Sequence, residues 1–292
     1  MPNKKMTSRE LGLILGQQLL GVDDLHYGFW EHDLALSFSN LPIAQQRYTE
    51  LITSVLPDPS QNEIQVLDVG CGTGHILSQL IDKGYCVDGV IPSETLSHMV
   101  KKRTNEHVGC NTQVFEMKFE DFPDDKYQQH YDVVLFSESF QYMSMNNSLP
   151  KVEKILKPGG ILLICDFFKT AHCGNGRPGD GTFGGGHKLA DFYTRIQNSP
   201  FAIIRDDDIT ENVSPNIELI DNLLMTQLKP AGQALGRYMF DNHPILSKLG
   251  HLLFRKKFKK LNHKYFSGHR SKAVFEQYKS YHLLVMQLLK PV

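Results

Sequence analysis

Short β-rich runs alternate with amphipathic helical stretches through the middle of this chain. The β-rich runs are residues 65–69, 86–90, 111–115, 131–136, 161–165 and 201–204. The helical stretches between them are residues 75–83, 93–104 and 149–156. Continuous apolar strands separated by helices are typical of a parallel sheet that is covered on both faces. We therefore predict an α/β fold with a doubly wound, mostly parallel sheet.

Two regions fall outside this alternation and predict helical covers over the strand ends. Residues 1–45 contain an apolar helix candidate at 11–20 and an aromatic stretch at 25–30, and residues 207–275 are mostly helical in pattern. The predicted organisation is an N-terminal cover (1–45), a ligand-binding core (46–206), a second cover with a basic segment (207–275) and a final core strand (276–292).

The composition is that of a folded protein, with 41% hydrophobic and 22% charged residues among 292. No run approaches the roughly 20 apolar residues of a membrane span, and the first residues lack the apolar region of a signal peptide. We expect a cytoplasmic protein. Its five cysteines show no paired spacing of a zinc site, which predicts reduced thiols and no metal.

One segment is strongly basic although the net charge is only −1. Residues 229–272 contain 11 basic residues and one acidic residue. Within them, residues 246–264 are compatible with an amphipathic helix that lies on an anionic membrane surface, peripheral to the bilayer. The alternative, which we favour from sequence, is a cover helix with its apolar stripe on the core. Because the whole chain is nearly neutral, no nucleic-acid partner is expected.

Three glycines follow the first strand in Val-Leu-Asp-Val-Gly-Cys-Gly-Thr-Gly-His, residues 66–75. Glycine at a junction of strand and helix lets the chain turn sharply and lets a ligand lie against main-chain N–H groups. Asp68 adds a fixed negative charge, which suits a cationic ligand better than a pyrophosphate. The turn therefore predicts a site for a positively charged ligand.

The pattern D-x-G-x-G-x-G resembles the S-adenosylmethionine loop of class I methyltransferases, and the resemblance extends over residues 65–168. It implies a Rossmann-like fold and S-adenosyl-L-methionine as cofactor. Carried over position by position, it implies cofactor contacts at Asp68, Gly70, Cys71, Gly72 and Gly74.

Further cofactor positions follow from the same resemblance. The family usually has an acidic residue for the ribose where this chain has Ile91 and Pro92, so Ser93, main chain or the N-terminal cover would hold the ribose. Glu120 and then Asp121 match the acidic turn near the adenine, with solvated loop carboxylates as the alternative. Ser137 lies at the tip of the fourth strand, where cofactor and substrate meet in the family.

The N-terminal His-Tyr-Gly-Phe-Trp, residues 26–30, resembles a segment of small-molecule methyltransferases that modify tocopherols, sterols and macrolides. The resemblance implies that Tyr27 lies over the methionine end of the cofactor, and simple packing of a cover is the alternative. Residues 206–213 are similar to the D-I-T-x-x-V segment of the same branch.

Methyl transfer mainly requires alignment of a nucleophile and exclusion of water. His172 and His187 flank a glycine-rich loop at 173–186 and are candidates for a general base, although each alone is more often a surface or packed histidine. Glu138 could instead orient a hydroxyl or amine, and a carbon acceptor needs no base. The loop is either a closing segment or a disordered insertion.

These features predict an enzyme that transfers a methyl group from S-adenosyl-L-methionine to the O, N or C atom of a small or lipid-like acceptor. No Asn/Asp-Pro-Pro-Tyr sequence follows the fourth strand, which argues against a nucleobase acceptor. The alternatives are a methyltransferase-like cyclase, a non-transferring cofactor-binding protein and a peripheral membrane-binding protein. The sequence makes no prediction of oligomeric state.

Overall fold

A single seven-stranded sheet organises the protein, whose computed structural model describes residues 26–105, 107 and 111–289. The strand order is β3-β2-β1-β4-β5-β7-β6, and β7 is antiparallel to both of its neighbours. The strands are β1 (Gln65–Val69), β2 (Cys86–Val90), β3 (Val114–Phe115), β4 (Tyr131–Ser137), β5 (Leu156–Lys169), β6 (Phe201–Asp208) and β7 (Lys279–Leu288). The predicted doubly wound, mostly parallel sheet is confirmed.

Helices cover both faces of the sheet and extend beyond it. They are α1 (Leu41–Thr53), α2 (His75–Asp82), α3 (Glu94–Thr104), α4 (Met145–Ile155), α5 (Leu189–Gln197), α6 (Thr210–Val213), α7 (Pro215–Leu223), α8 (Lys229–Asn242), α9 (Pro244–Tyr265) and α10 (Lys272–Tyr278). A π-helical turn, Leu224–Leu228, joins α7 to α8. The helix candidate at 11–20 and Cys110 lie outside the described residues.

Two apolar layers lie on the two faces of the sheet. Successive residues of a strand point to opposite faces, and in β1 Val66 belongs to one layer while Leu67 belongs to the other. Both are fully buried. This two-sided burial explains why the central strands are continuously apolar.

Strand β5 is longer than the sequence pattern predicts because it begins at Leu156 rather than at residue 161. Pro158 and the two glycines after it lie between the predicted helix at 149–156 and the predicted strand at 161–165. Instead Leu156 pairs with Tyr131, and the register shifts before the next pair. Gly160 permits this irregularity, since a Cβ there would lie 2.9 Å from the carbonyl oxygen of Lys157.

The basic segment is helical, as predicted, but the interpretation of 246–264 as a cover packed on the core is wrong. No residue of α9 is buried in the described structure, and Leu246 and Leu252 are 70% and 72% exposed. At about 100° per residue, Leu252 and Phe254 lie about 160° apart around the axis. The apolar residues are therefore spread around much of the helix instead of forming one narrow stripe.

Two further observations concern the cysteines and the helices. Cys71, Cys86, Cys165 and Cys173 are free thiols. None of the helices in the described ranges combines the length and the hydropathy that crossing a bilayer requires.

Candidate active site

The glycine turn after β1 adopts a conformation that favours glycine at all three positions. Gly70, Gly72 and Gly74 have φ of 82°, 56° and 82°. A Cβ at Gly70 would lie 2.4 Å from Cβ of Ser139, and one at Gly74 would lie 3.1 Å from Cγ1 of Val100. A Cβ at Gly72 would meet no described atom within 4 Å. The outer two glycines permit close packing, whereas the middle one borders open space.

The charges beside this open space fit a cationic ligand. Asp68, the residue before the last of β1, is only 2% exposed and raises the pKa of the Cys71 thiol, in addition to the larger effect of burial. Helix α2 begins at His75, so its first N–H groups belong to the same turn. A buried carboxylate beside an open glycine turn suits the sulfonium and α-amino groups of S-adenosylmethionine.

The predicted ribose and adenine positions lie at the ends of the neighbouring strands. Ile91 is buried directly after β2 and Pro92 is exposed. Glu120 is half-buried and Asp121 is exposed in a short helical turn after β3. Asp88 on β2 accepts hydrogen bonds from the Gln113 N–H and the Tyr131 hydroxyl.

Glu138 occupies the tip of β4 in a left-handed conformation with φ of 52°, which is uncommon for a residue other than glycine. Its Oε1 accepts hydrogen bonds from the Tyr27 N–H at 2.7 Å and from the Tyr281 hydroxyl at 3.0 Å. Its own N–H donates to the Cys165 carbonyl at 2.9 Å. Bonds on both sides hold the residue in this strained conformation, a pattern that is typical of functional sites.

Two buried tyrosine hydroxyls support this carboxylate. The Tyr48 and Tyr281 hydroxyl oxygens are 2.9 Å apart, and the Tyr48 hydroxyl also lies 3.1 Å from the Ser137 hydroxyl. Burial, with a further contribution from Glu138, raises the pKa of both tyrosines. Both therefore remain protonated at neutral pH and can donate hydrogen bonds.

The D-I-T segment positions Tyr281 through the main chain. The Tyr281 N–H donates to the Thr210 hydroxyl at 2.7 Å, and the Ile209 N–H donates to the Tyr281 carbonyl at 2.8 Å. The Thr210 N–H in turn donates to Asp208 at 3.0 Å. The segment thus connects the end of β6 to β7 at the level of Glu138.

Two asparagines hold the N-terminal segment at residues 26–30 in place through hydrogen bonds to its main chain. Asn216 accepts from the Gly28 N–H and donates to the Gly28 carbonyl, at 2.9 and 2.7 Å, and Asn212 donates to the Trp30 carbonyl at 3.0 Å. Gly28 is required because a Cβ there would lie 2.5 Å from Cβ of Ala44. These contacts fix the main chain of Tyr27 against Glu138.

The side chain of Tyr27 lies among residues of the C-terminal elements. Its ring meets Phe275 and Tyr281 edge-on, with centroids 6.4 and 6.2 Å away. Burial and then the Glu138 charge raise the pKa of Tyr27, whereas Arg270 opposes the increase. The predicted contact of Tyr27 with the cofactor stays a prediction, and the structure additionally places the residue beside Glu138.

Asp166 is a second buried carboxylate, on β5. It is 1% exposed and accepts bonds from the N–H groups of Gln141 and Phe167 at 2.9 and 2.8 Å. Burial raises its pKa to about 8, an effect that Glu138 reinforces. Close to neutral pH this carboxyl therefore carries a proton in a large fraction of molecules.

The glycine-rich loop at 173–186 is an ordered wall beside these groups. Phe183 is 7% exposed and packs on Phe275 with ring centroids 5.2 Å apart. The Thr182 hydroxyl lies 2.6 Å from the His269 carbonyl, and buried Lys279 donates to the Gly185 carbonyl at 2.6 Å. The alternative of a disordered insertion is therefore wrong.

The two candidate histidines differ in their surroundings. The His187 ring packs on Phe140 and its Nε2 lies 3.1 Å from the Phe140 carbonyl oxygen, while burial lowers its pKa. His187 therefore supports the turn after β4. His172 is exposed at the start of the loop. A catalytic role for either histidine remains a prediction.

Sequence reasoning missed Tyr48, Tyr281, Asp166, Gln141 and Lys279. They come from α1, β5, β7 and the turn after β4. No local motif marks any of them, because their common feature is the sheet edge that the fold assembles. The D-I-T segment at 206–213 is the one sequence pattern that contacts Tyr281, through the Thr210 hydroxyl, but it does not name that residue.

Comparison with known proteins agrees with this geometry. Residues 66–160 match the model of a family described as a methyltransferase domain. The chain is 23% identical over 235 residues to the O-methyltransferase resE of Aspergillus sclerotiorum, covering 72% of this chain and 81% of that protein. It is 29% identical over 125 residues to the malonyl-[acyl-carrier protein] O-methyltransferase of Priestia megaterium, a match that spans 40% of this chain and 42% of that protein.

The fold also matches a solved structure along nearly its whole length. The geranyl diphosphate C-methyltransferase of Streptomyces coelicolor A3(2), in complex with Mg²⁺, geranyl diphosphate and S-adenosyl-L-homocysteine, aligns with a TM-score of 0.65 and 15% identity. The alignment covers 94% of this chain and 92% of that chain. The family match, the relatives and the fold, taken with the glycine turn, support a class I S-adenosylmethionine-dependent methyltransferase whose methyltransferase domain includes residues 66–160.

Proposed function

We propose that this enzyme methylates a small or lipid-like acceptor that binds next to Glu138 at the carboxyl edge of the sheet. The observation that carries the proposal is the strained conformation of Glu138, which Tyr27 and Tyr281 hold one strand away from the glycine turn. The relatives support the acceptor class, since their names include a malonyl-carrier and a geranyl diphosphate methyltransferase.

The cofactor-binding residues in this proposal are those that border the open turn. Asp68 would balance the positive charge, Gly70, Cys71, Gly72 and Gly74 would form the turn, and Ile91 and Pro92 would border the ribose. Glu120, with Asp121 beside it, would border the adenine, and Ser137 would face both ligands. When bound, S-adenosylmethionine supplies an electrophilic methyl group on a sulfonium.

Glu138 would orient the acceptor rather than react with it. A carboxylate at this position can accept a hydrogen bond from a hydroxyl or amine and aim its lone pair at the methyl group. The aromatic side chains of Phe167, Phe183 and Phe275 exclude water beside it. Nucleophilic displacement then depends mainly on alignment, which the rigid surroundings of Glu138 provide.

A methyl-transfer assay tests this proposal. The enzyme is incubated with methyl-labelled S-adenosylmethionine and a set of hydroxyl-, amine- and isoprenoid-bearing small molecules and lipids. We expect a labelled product together with S-adenosylhomocysteine, and slower transfer by Glu138→Gln with unchanged cofactor affinity. Rearrangement of an acceptor without consumption of the cofactor would instead support the cyclase alternative. Equal rates in Glu138→Gln would contradict the role of Glu138.

We further propose that residues 246–264 contact an anionic membrane surface. The observation that favours this is the exposure of apolar side chains where α8 meets α9, with Phe240, Ile245 and Leu246 exposed by 53%, 83% and 70%. We call residues 229–265 the basic hairpin. Its tip is apolar, and Lys256 and Lys260 follow about three turns along α9 on the side of Ile245 and Leu249.

Charge complementarity favours a bilayer over other partners for the basic hairpin. Apolar side chains of this kind insert at the boundary of headgroups and acyl chains, while lysines bind anionic headgroups. A second copy of the chain would bring like charges together, because 229–272 contains 11 basic residues and one acidic residue. Contact with a membrane would also place the enzyme next to a lipid-like acceptor.

A further inference from the structure

Arg270 lies between α9 and α10 with its guanidinium held against two aromatic rings. Its central carbon is 4.8 Å from the Phe183 ring centroid and 5.2 Å from the Tyr265 ring centroid. The residue is half-buried. Cation–π contacts of this kind position a guanidinium without using its N–H donors.

The donors of Arg270 are not used by an ion pair within the described residues. Lys272, only two positions away, lies 4.0 Å from a carboxylate oxygen of Glu218 and 3.9 Å from one of Glu276. Acidic side chains are thus available in this region, yet they approach Lys272 and not Arg270. A planar cation that is positioned by rings and lacks a carboxylate partner is suited to bind an external anion.

The same guanidinium belongs to the proposed acceptor site. Its charge opposes the increase in the pKa of Tyr27, so it lies within electrostatic range of that hydroxyl. Phe183 belongs to the glycine-rich loop and packs on Phe275, whose ring also contacts Tyr27. Arg270 therefore lies on the side of the site that is formed by the glycine-rich loop at 173–186 and by α10.

The two ends of the site carry opposite charge. Glu138 directly follows β4, and its carboxylate would repel an anionic group of an acceptor. Arg270 provides the positive charge at the more exposed end. An acceptor with an acid at one end and the reacting atom at the other would be held in one orientation only.

We propose that Arg270 binds an acidic group of the methyl acceptor, a carboxylate or a phosphate, and so directs the other end of that molecule toward Glu138. The inference rests on the proposed function, because it assigns the substrate class of the same site. Bidentate bonds from the guanidinium edge match the geometry of both acids.

Calorimetry with simple amphiphiles tests the proposal. The probes are octanoate, octyl phosphate and 1-octanol, each titrated into the enzyme in the presence of S-adenosylhomocysteine. We expect both anions to bind the wild-type enzyme at least about tenfold more tightly than the alcohol. The stronger of the two anions identifies the acid. Equal binding of anions and alcohol, or no binding of either anion, would overturn the proposal.

Variants separate recognition from folding. Arg270→Gln should reduce the affinity for the anions about tenfold or more while binding of 1-octanol and S-adenosylhomocysteine is unchanged, and Arg270→Lys should restore part of the loss. The matched control is Arg195→Gln, an exposed arginine on α5. Unchanged anion affinity in Arg270→Gln would contradict the inference.

The labelled-methyl assay distinguishes failure of this inference from failure of the proposed function. Efficient transfer to an uncharged acceptor, equally fast in Arg270→Gln, would refute the role of Arg270 and leave methyl transfer intact. Absence of transfer to any acceptor would count against the proposed function, while the amphiphile titrations would still decide whether Arg270 binds an acid.

Discussion

The hydroxyl of Tyr281 donates a hydrogen bond to Glu138 at 3.0 Å across 143 residues of sequence. The bond joins β7, the antiparallel strand, to the tip of β4, although β5 lies between them in the sheet. Tyr48 on α1 is hydrogen-bonded to Tyr281 and extends the same network. Two segments distant in sequence, α1 and β7, thus hold one carboxylate at the reactive edge of the enzyme.

Replacement Tyr281→Phe removes this donor without changing the ring. We expect the free energy of unfolding to fall by about 1 kcal/mol, the usual net contribution of one hydrogen bond. The rate of methyl transfer should fall by about tenfold, equivalent to about 1.4 kcal/mol in the barrier, because Glu138 is less well oriented. Cofactor affinity, measured by calorimetry, should be unchanged.

The control for Tyr281→Phe is Tyr85→Phe. The Tyr85 hydroxyl donates to the Pro57 carbonyl at 2.8 Å, just before β2 and away from the reactive edge. We expect Tyr85→Phe to lower the free energy of unfolding by a similar amount and to keep the full rate of methyl transfer. If the two variants lost activity equally, the network around Glu138 would have no specific role.

Replacement Gly72→Val places a branched side chain in the open space of the turn. Strain at a positive φ should reduce the free energy of unfolding by about 1–3 kcal/mol, and cofactor binding should be lost because the side chain occupies the space. Gly84→Val has the same conformational cost, since Gly84 has φ of 93° with the nearest atom 4.0 Å from its Cβ position. Wild-type affinity for S-adenosylmethionine in Gly72→Val would refute the assigned cofactor site.

Asp166 should make stability depend on pH between about 4 and 8. Its pKa rises from 3.8 to about 8 on folding, so in this range the folded protein keeps a proton that the unfolded chain has released. The contribution of the Asp166 carboxyl to the free energy of unfolding is therefore largest below pH 4 and decreases as the pH rises toward 8. Lys279, whose pKa falls to about 8, changes stability only above that pH.

Urea denaturation between pH 5 and 8 measures this slope. We expect a smaller decrease in the free energy of unfolding for Asp166→Asn than for the wild type. Asp191→Asn, at an exposed position on α5, should keep the wild-type slope. The assignment fails if the Asp166→Asn protein loses stability over this range as steeply as the parent.

The basic hairpin should bind vesicles that contain phosphatidylserine. A lysine near an anionic surface contributes about 1 kcal/mol, so exchange of Lys256, Lys257, Lys259 and Lys260 for Gln should weaken partitioning by about 100-fold or more. Added salt should reduce wild-type binding. The measurement is co-sedimentation with vesicles of phosphatidylcholine, with and without phosphatidylserine.

A control with the same charge change uses exposed lysines elsewhere. These lysines are Lys83, Lys102, Lys118 and Lys126. Partitioning should be close to that of the wild type in this variant. Equal loss in both variants would indicate attraction by net charge alone. Self-association or capture of nucleic acid by the wild type, without vesicle binding, would exclude the membrane contact.

The sequence by itself determined the sheet and the cofactor turn. Continuous apolar strands predict a sheet that is buried on both faces, and glycines at 70, 72 and 74 predict the turn, because both depend on local steric and hydrophobic rules. The resemblance to methyltransferases followed from residues that are contiguous in the chain. These inferences needed no knowledge of long-range contacts.

Only the tertiary structure decided which side chains surround Glu138 and what α9 contacts. Tyr48, Asp166 and Tyr281 meet because α1, β5 and β7 converge at one edge, and no local spacing records that convergence. The apolar residues of α9 suggested packing on the core, but their exposure becomes evident only when the helix is seen in place. Packing is a property of pairs of segments, so a pattern within one segment does not specify it.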